Sequence, residues 1–99
     1  MKTIDLWING TSQPARSAEY FDDINPATGK PIARVALGST ADVDLAVQAA
    51  RAAMRGPWGK MSVQERCALL TRVADRIDAR KQEFLQAEIE DTGKPLSLA

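Results

Sequence analysis

The stretch STADVDLAVQAARAAMR, residues 39–55, marks the point where the sequence changes from strand-like to helical patterning. Ser39 followed by Asp42 resembles a capping box, the arrangement that satisfies free amides at the start of a helix. Gly56 and Pro57 follow the stretch and predict its end. Apolar side chains recur on one face of the helical period, at Val43, Val47, Ala50 and Met54. We therefore predict an α-helix over residues 39–55.

A second helical pattern covers residues 62–92. Ser62 and Glu65 have the full S-x-x-E spacing, which predicts a reciprocal capping box. The pattern weakens around Arg80 without a Gly or Pro, so one bent helix and two separate helices both remain open. Gly93 is a C-cap candidate, and Pro95 lies shortly after it. An apolar stripe follows the start at heptad-like spacing, at Val63, Cys67, Leu70, Ala74 and Ile77.

Residues 1–38 have the patterning of short strands and turns. Leu6–Ile8 is followed by Asn9-Gly10, the dipeptide that best fits a type I′ hairpin turn. Residues 31–35 alternate apolar and other side chains, which predicts a strand. We predict a β-meander or hairpin followed by two or three α-helices, and thus an α/β chain.

Composition excludes several classes of function. The 99 residues carry 13 Lys and Arg, 13 Asp and Glu, no His and one Cys. Without histidine there is no Ser-His or Cys-His nucleophile pair, and one cysteine forms no internal disulfide. The balanced charge argues against nucleic-acid binding, and no apolar run is long enough for a membrane span. We expect a cytoplasmic protein with no nucleic-acid or membrane partner.

Two motifs suggest chemistry that their context does not support. The segment GPWGKMS, residues 56–62, has two residues between its glycines instead of the four of a Walker A loop, so we expect a plain loop anchored by Trp58. No Gly-x-Gly-x-x-Gly dinucleotide fingerprint occurs. Cys67 lies on the apolar stripe of a predicted helix, so we expect a buried, inert thiol rather than a nucleophile.

The tetrapeptide Thr-Gly-Lys-Pro occurs twice, at residues 28–31 and 92–95. A predicted strand follows the first copy, whereas a predicted helix precedes the second. Because the flanking sequences differ completely, we interpret the tetrapeptide as one turn chemistry used twice and not as an internal repeat.

Acidic residues crowd the end of the last predicted helix, at Glu88, Glu90 and Asp91. Negative charge at a helix C-terminus opposes the helix dipole, so it is unfavourable unless a cation compensates. A solvated acidic end is the simplest interpretation. A bound Na⁺ or K⁺, or a nearby arginine, is the alternative.

Several segments in order resemble the N-terminus of the NAD(P)-dependent aldehyde dehydrogenase superfamily. They are Trp7–Gly10, Ile24–Ile32 with Val35, Asp42–Asp44, Ala46–Val47, Ala49–Ala53, Trp58, Glu65–Arg66, Leu69–Leu70, Ala74–Asp75 and Asp91–Pro95. Within the superfamily, residues 56–61, 73–75, 91–95 and 97–99 look most like the 2-hydroxymuconic and 2-aminomuconic semialdehyde dehydrogenases of aromatic-compound catabolism. Betaine aldehyde dehydrogenases share much of the pattern.

This resemblance implies an NAD-dependent enzyme that oxidises a small-molecule aldehyde to a carboxylate, working as a homo-oligomer, a dimer or tetramer. It implies that residues 1–99 are the N-terminal part of a Rossmann-type coenzyme-binding domain in an incomplete chain. The family's catalytic cysteine, glutamate and asparagine and its coenzyme site lie beyond position 99, and Cys67 matches none of them. We therefore expect no catalytic and no cofactor-binding residue in this chain.

The resemblance also implies one site within these residues. Several members of the superfamily bind a structural monovalent cation, K⁺ or Na⁺, at positions that match Asp23, Ile24 and Asp91. The expected ligands are backbone or side-chain oxygens, which suit a hard cation.

A free-standing helical interaction module is the rival interpretation. In it, the apolar stripe from Val63 to Ile89 would bind a partner helix. The strand-rich first forty residues and the apolar sequence at Ala99 favour the fragment of an enzyme.

Overall fold

A computed structural model describes residues 1–99 as five short strands followed by helices. The strands are β1 (Lys2–Ile4), β2 (Leu6–Ile8), β3 (Thr11–Gln13), β4 (Tyr20–Ile24) and β5 (Pro31–Ala36). The helices are α1 (Thr40–Arg55), α2 (Pro57–Lys60), α3 (Val63–Ala79) and α4 (Lys81–Thr92), and a 3₁₀ turn covers Leu96–Leu98. The expected α/β chain, strands first and helices after, is confirmed.

The strands form two small sheets. β2 and β3 are the predicted hairpin, and its turn residues Asn9 and Gly10 have φ angles of 53° and 77°, as a type I′ turn requires. The other sheet has the order β1-β5-β4, with β4 antiparallel and β1 parallel to β5. The strands therefore do not form one continuous meander. A parallel pair needs a crossover connection, which residues 5–30 supply here.

The caps of α1 and α3 differ from the expectation. At α1 both halves of the capping box are formed, because Ser39 caps the Asp42 amide and the Asp42 carboxylate accepts from the Ser39 amide at 2.9 Å. At α3 only the Ser62 hydroxyl acts, accepting from the Glu65 amide at 3.1 Å. The reciprocal bond expected from Glu65 is not formed.

The segment between α1 and α3 is a one-turn helix, α2, and not the expected loop. A Cβ at Gly59 would overlap the carbonyl oxygen of Met54, so only glycine fits this turn. Trp58 anchors the segment: the Arg66 guanidinium lies 4.9 Å from its ring centroid and donates to its carbonyl oxygen at 3.0 Å.

The stretch from residue 62 to 92 is two helices. The break lies at Arg80, whose φ of −112° and ψ of 25° leave the helical range. Arg80 then pairs with Glu83 in the first turn of α4 at 2.7 Å.

Very little of this structure is buried. Only Ala15, Ala33, Ala36 and Asp42 are buried, and all four lie in the strand region or at the start of α1. The radius of gyration is 16.9 Å, whereas a compact chain of this length has about 13 Å. The expectation that Cys67 is buried is wrong for residues 1–99, where its thiol is exposed. None of the helices has the length and apolar character that a membrane span needs.

Candidate functional site at the junction of strand β4 and helix α4

The end of β4 and the end of α4 meet, although Ile24 and Asp91 are 67 positions apart in sequence. Gly93 ends α4 in the left-handed conformation, with φ of 74°. A Cβ at Gly93 would lie 2.9 Å from Cγ of Pro26, in the turn after β4. The two chain segments are therefore in van der Waals contact through a residue that has no side chain.

This contact brings Asp23 and Asp91 together. Their carboxyl groups are within hydrogen-bonding contact, which raises the pKa of Asp23; partial desolvation and repulsion by the Asp91 charge raise this pKa further. Two adjacent carboxylates resist being ionised together unless a proton or a cation lies between them. The arrangement can therefore hold a proton, and its oxygen atoms are the donor type that a hard cation prefers.

Ile24 lies beside this pair but contributes no polar side chain. A bulge between Asp23 and Ile24 interrupts the β4–β5 ladder, and Pro31 is the register partner of Ile24. Because proline has no N–H, the Ile24 carbonyl oxygen receives no hydrogen bond from that partner.

The surroundings of the pair are acidic. An open groove next to it is lined by one amine, Lys2, and five carboxyl groups, Asp23, Glu83, Glu88, Glu90 and Asp91. No set of three or more His, Cys, Asp or Glu side chains in residues 1–99 is arranged as a metal cage. Any cation here would need backbone oxygens as well as the two aspartates.

Sequence reasoning missed how the other acids at this helix end are compensated. The Lys94 ammonium folds back to the Glu88 carboxylate at 2.9 Å, and the Gln86 amide donates to Glu90 at 2.7 Å. The signal available was the lysine directly after the C-cap glycine, a position from which a side chain reaches the last turn.

The repeated tetrapeptide forms the same turn in both places, as expected. Gly29 and Gly93 have φ angles of 71° and 74°. The amide of Lys30 donates to the Thr28 hydroxyl at 3.2 Å, and the amide of Lys94 donates to the Thr92 hydroxyl at 3.3 Å. The second copy differs in that it packs on Pro26, whereas no atom lies within 4 Å of a Cβ placed at Gly29.

A second polar cluster, which we call the Asp42 cluster, consists of Arg16, Ser39 and Asp42. The buried Asp42 carboxylate accepts from the Ser39 amide at 2.9 Å, the Ser39 hydroxyl at 2.8 Å and the Arg16 amide at 3.2 Å. The hydrogen bonds from Ser39 are the main reason that the pKa of Asp42 is lowered. Arg16 has no sequence signal for this contact, since it lies 26 residues away.

Comparison with known proteins gives a consistent result along the chain. A model of the aldehyde dehydrogenase family matches residues 13–99. A 2-hydroxymuconic semialdehyde dehydrogenase of Pseudomonas sp. (strain CF600) is 60% identical over all 99 residues, which are 20% of that protein. Another from Pseudomonas putida is 51% identical over 89 residues, covering 90% of this chain and 18% of that protein.

Solved structures also match this chain. The aldehyde dehydrogenase of Bacillus cereus in its NAD⁺ complex superposes with a TM-score of 0.94 at 38% identity, over 99% of this chain and 20% of that one. PnpE in complex with nicotinamide adenine dinucleotide gives a TM-score of 0.89 at 38% identity, over 94% of this chain and 19% of that one. The chain spans about a fifth of the length of the curated relatives it matches.

Proposed function

Since the chain belongs to the aldehyde dehydrogenase family, we propose that it is the N-terminal part of a cytoplasmic, NAD-dependent dehydrogenase that oxidises a semialdehyde to a carboxylate. The preferred substrate is 2-hydroxymuconic semialdehyde. The observation that carries this choice is the 60% identity, along every residue of the chain, to an enzyme of that name. The related 2-aminomuconic semialdehyde and betaine aldehyde are the alternatives.

The chemical step belongs to residues outside this chain. The family resemblance implies that the catalytic residues and the coenzyme site lie beyond position 99, and residues 1–99 contain no Gly-x-Gly-x-x-Gly fingerprint. When bound elsewhere in the enzyme, NAD⁺ accepts the hydride that the aldehyde loses on oxidation. The contribution of residues 1–99 is structural: two capped helices, two small sheets and the β4–α4 junction.

The test is an activity assay on the product of the complete reading frame. We expect coenzyme reduction with 2-hydroxymuconic semialdehyde at a higher kcat/KM than with 2-aminomuconic semialdehyde or betaine aldehyde. The isolated 99-residue chain should neither bind NAD⁺ nor reduce it. A higher kcat/KM with one of the other two aldehydes would make that aldehyde the preferred substrate. No activity with any aldehyde would contradict the proposed function.

The same enzyme is proposed to hold a structural K⁺ or Na⁺ at Asp23, Ile24 and Asp91. The support is the interaction between the two carboxyl groups, the raised pKa of Asp23 and the position of Ile24 at a bulge at the end of β4, next to Asp23. Crystals of the enzyme grown with Tl⁺ in place of K⁺ should show anomalous scattering between these residues. Scattering confined to other parts of the enzyme would remove the site.

We also propose that the whole enzyme is a homodimer or homotetramer, as the family resemblance implies. Light scattering coupled to size-exclusion chromatography on the active enzyme tests this directly. A monomer at assay concentration with full activity would contradict it.

A further inference from the structure

The chain contains two asparagines, and they differ in the residue that follows. Asn9 precedes Gly10, whereas Asn25 precedes Pro26. Asparagine is a thermolabile residue, because the backbone nitrogen of the next residue can attack its side-chain amide carbon. Glycine leaves that nitrogen unshielded, since it has no side chain. Proline has no N–H, so its nitrogen has no proton to give up in such an attack.

The structure leaves the reacting groups of Asn9 and Gly10 without partners. The Asn9 residue is exposed, and the side-chain hydrogen bond of this turn runs instead from the Thr11 hydroxyl to the Ile8 carbonyl oxygen at 3.1 Å. The Gly10 amide donates no backbone hydrogen bond. A Cβ placed at Gly10 would meet no atom within 4 Å, so there is open space for a ring to form at this position.

The hairpin must open locally before the two groups can react. A type I′ turn places the Gly10 nitrogen trans to the Asn9 Cβ, and the observed φ of 53° at Asn9 belongs to this turn. Strands β2 and β3 have only three residues each, and so short a two-stranded hairpin is marginally stable. Local opening of such an element is frequent compared with global unfolding. The reaction is therefore accessible to the folded protein.

We propose that Asn9 is a site of spontaneous deamidation in the folded protein. The Gly10 nitrogen forms a bond to Cγ of Asn9, and the side-chain nitrogen leaves as ammonia with the Gly10 proton. Water then opens the resulting succinimide ring at one of its two C–N bonds. Opening at Cγ leaves an aspartate, whereas opening at the backbone carbonyl carbon leaves an isoaspartate. The net reaction consumes one water and releases one ammonia, and nothing is oxidised or reduced.

The carboxylate that forms shares a groove with two positive charges. Asn9 lines the open groove between the β2–β3 hairpin and α1, together with Arg51 and Arg55. No carboxylate lines this groove, and neither guanidinium forms an ion pair within residues 1–99. An aspartate formed from Asn9 is therefore electrostatically favoured there, and Asp-Gly is compatible with a type I′ turn. Isoaspartate adds a methylene group to the backbone, which this two-residue turn does not accommodate.

The test is incubation of the complete native protein at neutral and at mildly alkaline pH, followed by mass spectrometry of its tryptic peptides. The two asparagines fall in separate peptides, residues 3–16 and residues 17–34. We expect peptide 3–16 to gain the mass of an amide-to-acid conversion, and to gain it faster at the higher pH, because base removes the Gly10 proton. The converted peptide should contain both aspartate and isoaspartate. In the urea-unfolded protein the conversion should be on the order of 10-fold faster.

Asn25 is the control that the chain itself provides. Proline follows it, and its side-chain oxygen accepts from the Ala27 amide at 2.9 Å. Peptide 17–34 should therefore keep its mass under the same conditions. For the groove, the melting temperature of Asn9→Asp at low ionic strength should exceed that of the wild type. Arg51→Gln/Arg55→Gln should abolish this gain, and a lower melting temperature of Asn9→Asp would contradict the role given to the two arginines.

Three results would overturn the proposed site. Unchanged mass of peptide 3–16 in the native protein, over an incubation that converts the unfolded protein, would show that the folded turn is protected. An equal mass gain in peptide 17–34 would show that the following residue does not control the reaction. Aspartate without isoaspartate would exclude the succinimide. Each readout is a peptide mass or its isomer composition, so the outcome is independent of dehydrogenase activity and of the proposed function.

Discussion

Two aspartates in this small structure have opposite environments. Asp42 is buried and surrounded by donors, namely the Ser39 amide and hydroxyl and the Arg16 amide, and its pKa is lowered. Asp23 is partly exposed and faces another carboxyl group, that of Asp91, and its pKa is raised.

This difference shows which of the two carboxylates has its charge compensated by groups within residues 1–99. The Asp42 cluster satisfies its charge with groups from residues 16–42 and ties the start of α1 to the segment before β4. The Asp23–Asp91 contact joins β4 to α4 but leaves negative charge uncompensated, so that junction depends on a proton or a cation. None of the four buried residues lies in α3 or α4.

The largest expected effect comes from breaking the Asp42 cluster. Asp42→Ala leaves the Ser39 and Arg16 amides without their acceptor in a buried position, which is among the costliest kinds of substitution. In the complete enzyme we expect the melting temperature to fall by several degrees. Asp44→Ala, at an exposed aspartate of the same helix, is the control and should change it little. Equal effects of the two substitutions would mean that the cluster contributes nothing beyond helix charge.

The next largest effect concerns the contact that brings Asp91 to Asp23. Gly93→Ala places a Cβ 2.9 Å from Pro26 at a φ of 74°, so it adds a steric clash to the strain of about 1 kcal/mol that a left-handed alanine carries. Gly29→Ala has the same strain at a φ of 71° but no neighbouring atom within 4 Å. Chemical unfolding of both variants isolates the Pro26 contact. If Gly29→Ala is as destabilising as Gly93→Ala, this contact has no energetic role.

The pH dependence of stability should have opposite signs at the two aspartates. The lowered pKa of Asp42 means that its contribution is present above the unfolded value of about 3.9 and is lost as the pH falls through its folded pKa. The raised pKa of Asp23 means that, without a bound cation, its contribution is present below about pH 3.9 and is lost as the pH rises through its folded pKa.

Unfolding midpoints measured across this pH range in a buffer without Na⁺ or K⁺ test both signs. Asp42→Asn should flatten the loss on acidification, and Asp23→Asn should flatten the loss on raising the pH. Asp22→Asn, at the neighbouring exposed position, should leave both slopes unchanged. If the unfolding midpoints of all three variants depended on pH in the same way, the opposite pKa shifts of Asp42 and Asp23 would be contradicted.

A smaller effect is expected from the caps. Ser62→Ala removes the hydroxyl that caps α3 and should cost about 1 kcal/mol. Ser39→Ala should cost more, since Ser39 donates its hydroxyl to Asp42 as well as capping the helix. Urea unfolding of the two variants gives the ranking, and a larger cost for Ser62→Ala would reverse it.

Local signals allowed much of this fold to be predicted, because caps, turns and periodicity act over a few residues. Asn9-Gly10, Ser39 with Asp42, and the two Thr-Gly-Lys-Pro turns all act in the structure as their residue types predict. The parallel pairing of β1 with β5 and the Arg16 contact to Asp42 had no such signal, since contacts between distant residues depend on the packing of the whole chain.

The periodicity also predicted correctly which face of α3 is apolar but not that this face would be exposed. Helical spacing identifies a surface that needs covering, and it does not identify what covers it. The meeting of Asp23 and Asp91 was expected only through the family resemblance, since no local pattern relates residues 68 positions apart.

The most direct test of this account is the response of the complete enzyme to the monovalent cation proposed for the β4–α4 junction. Its melting temperature is measured in K⁺, in Na⁺ and in tetramethylammonium, a cation too large to bind between two carboxylates, at equal ionic strength and neutral pH. We expect K⁺ or Na⁺ to raise the melting temperature of the wild type and of Asp22→Asn, and to raise that of Asp23→Asn much less. Identical melting temperatures of the wild type in all three salts would contradict the account.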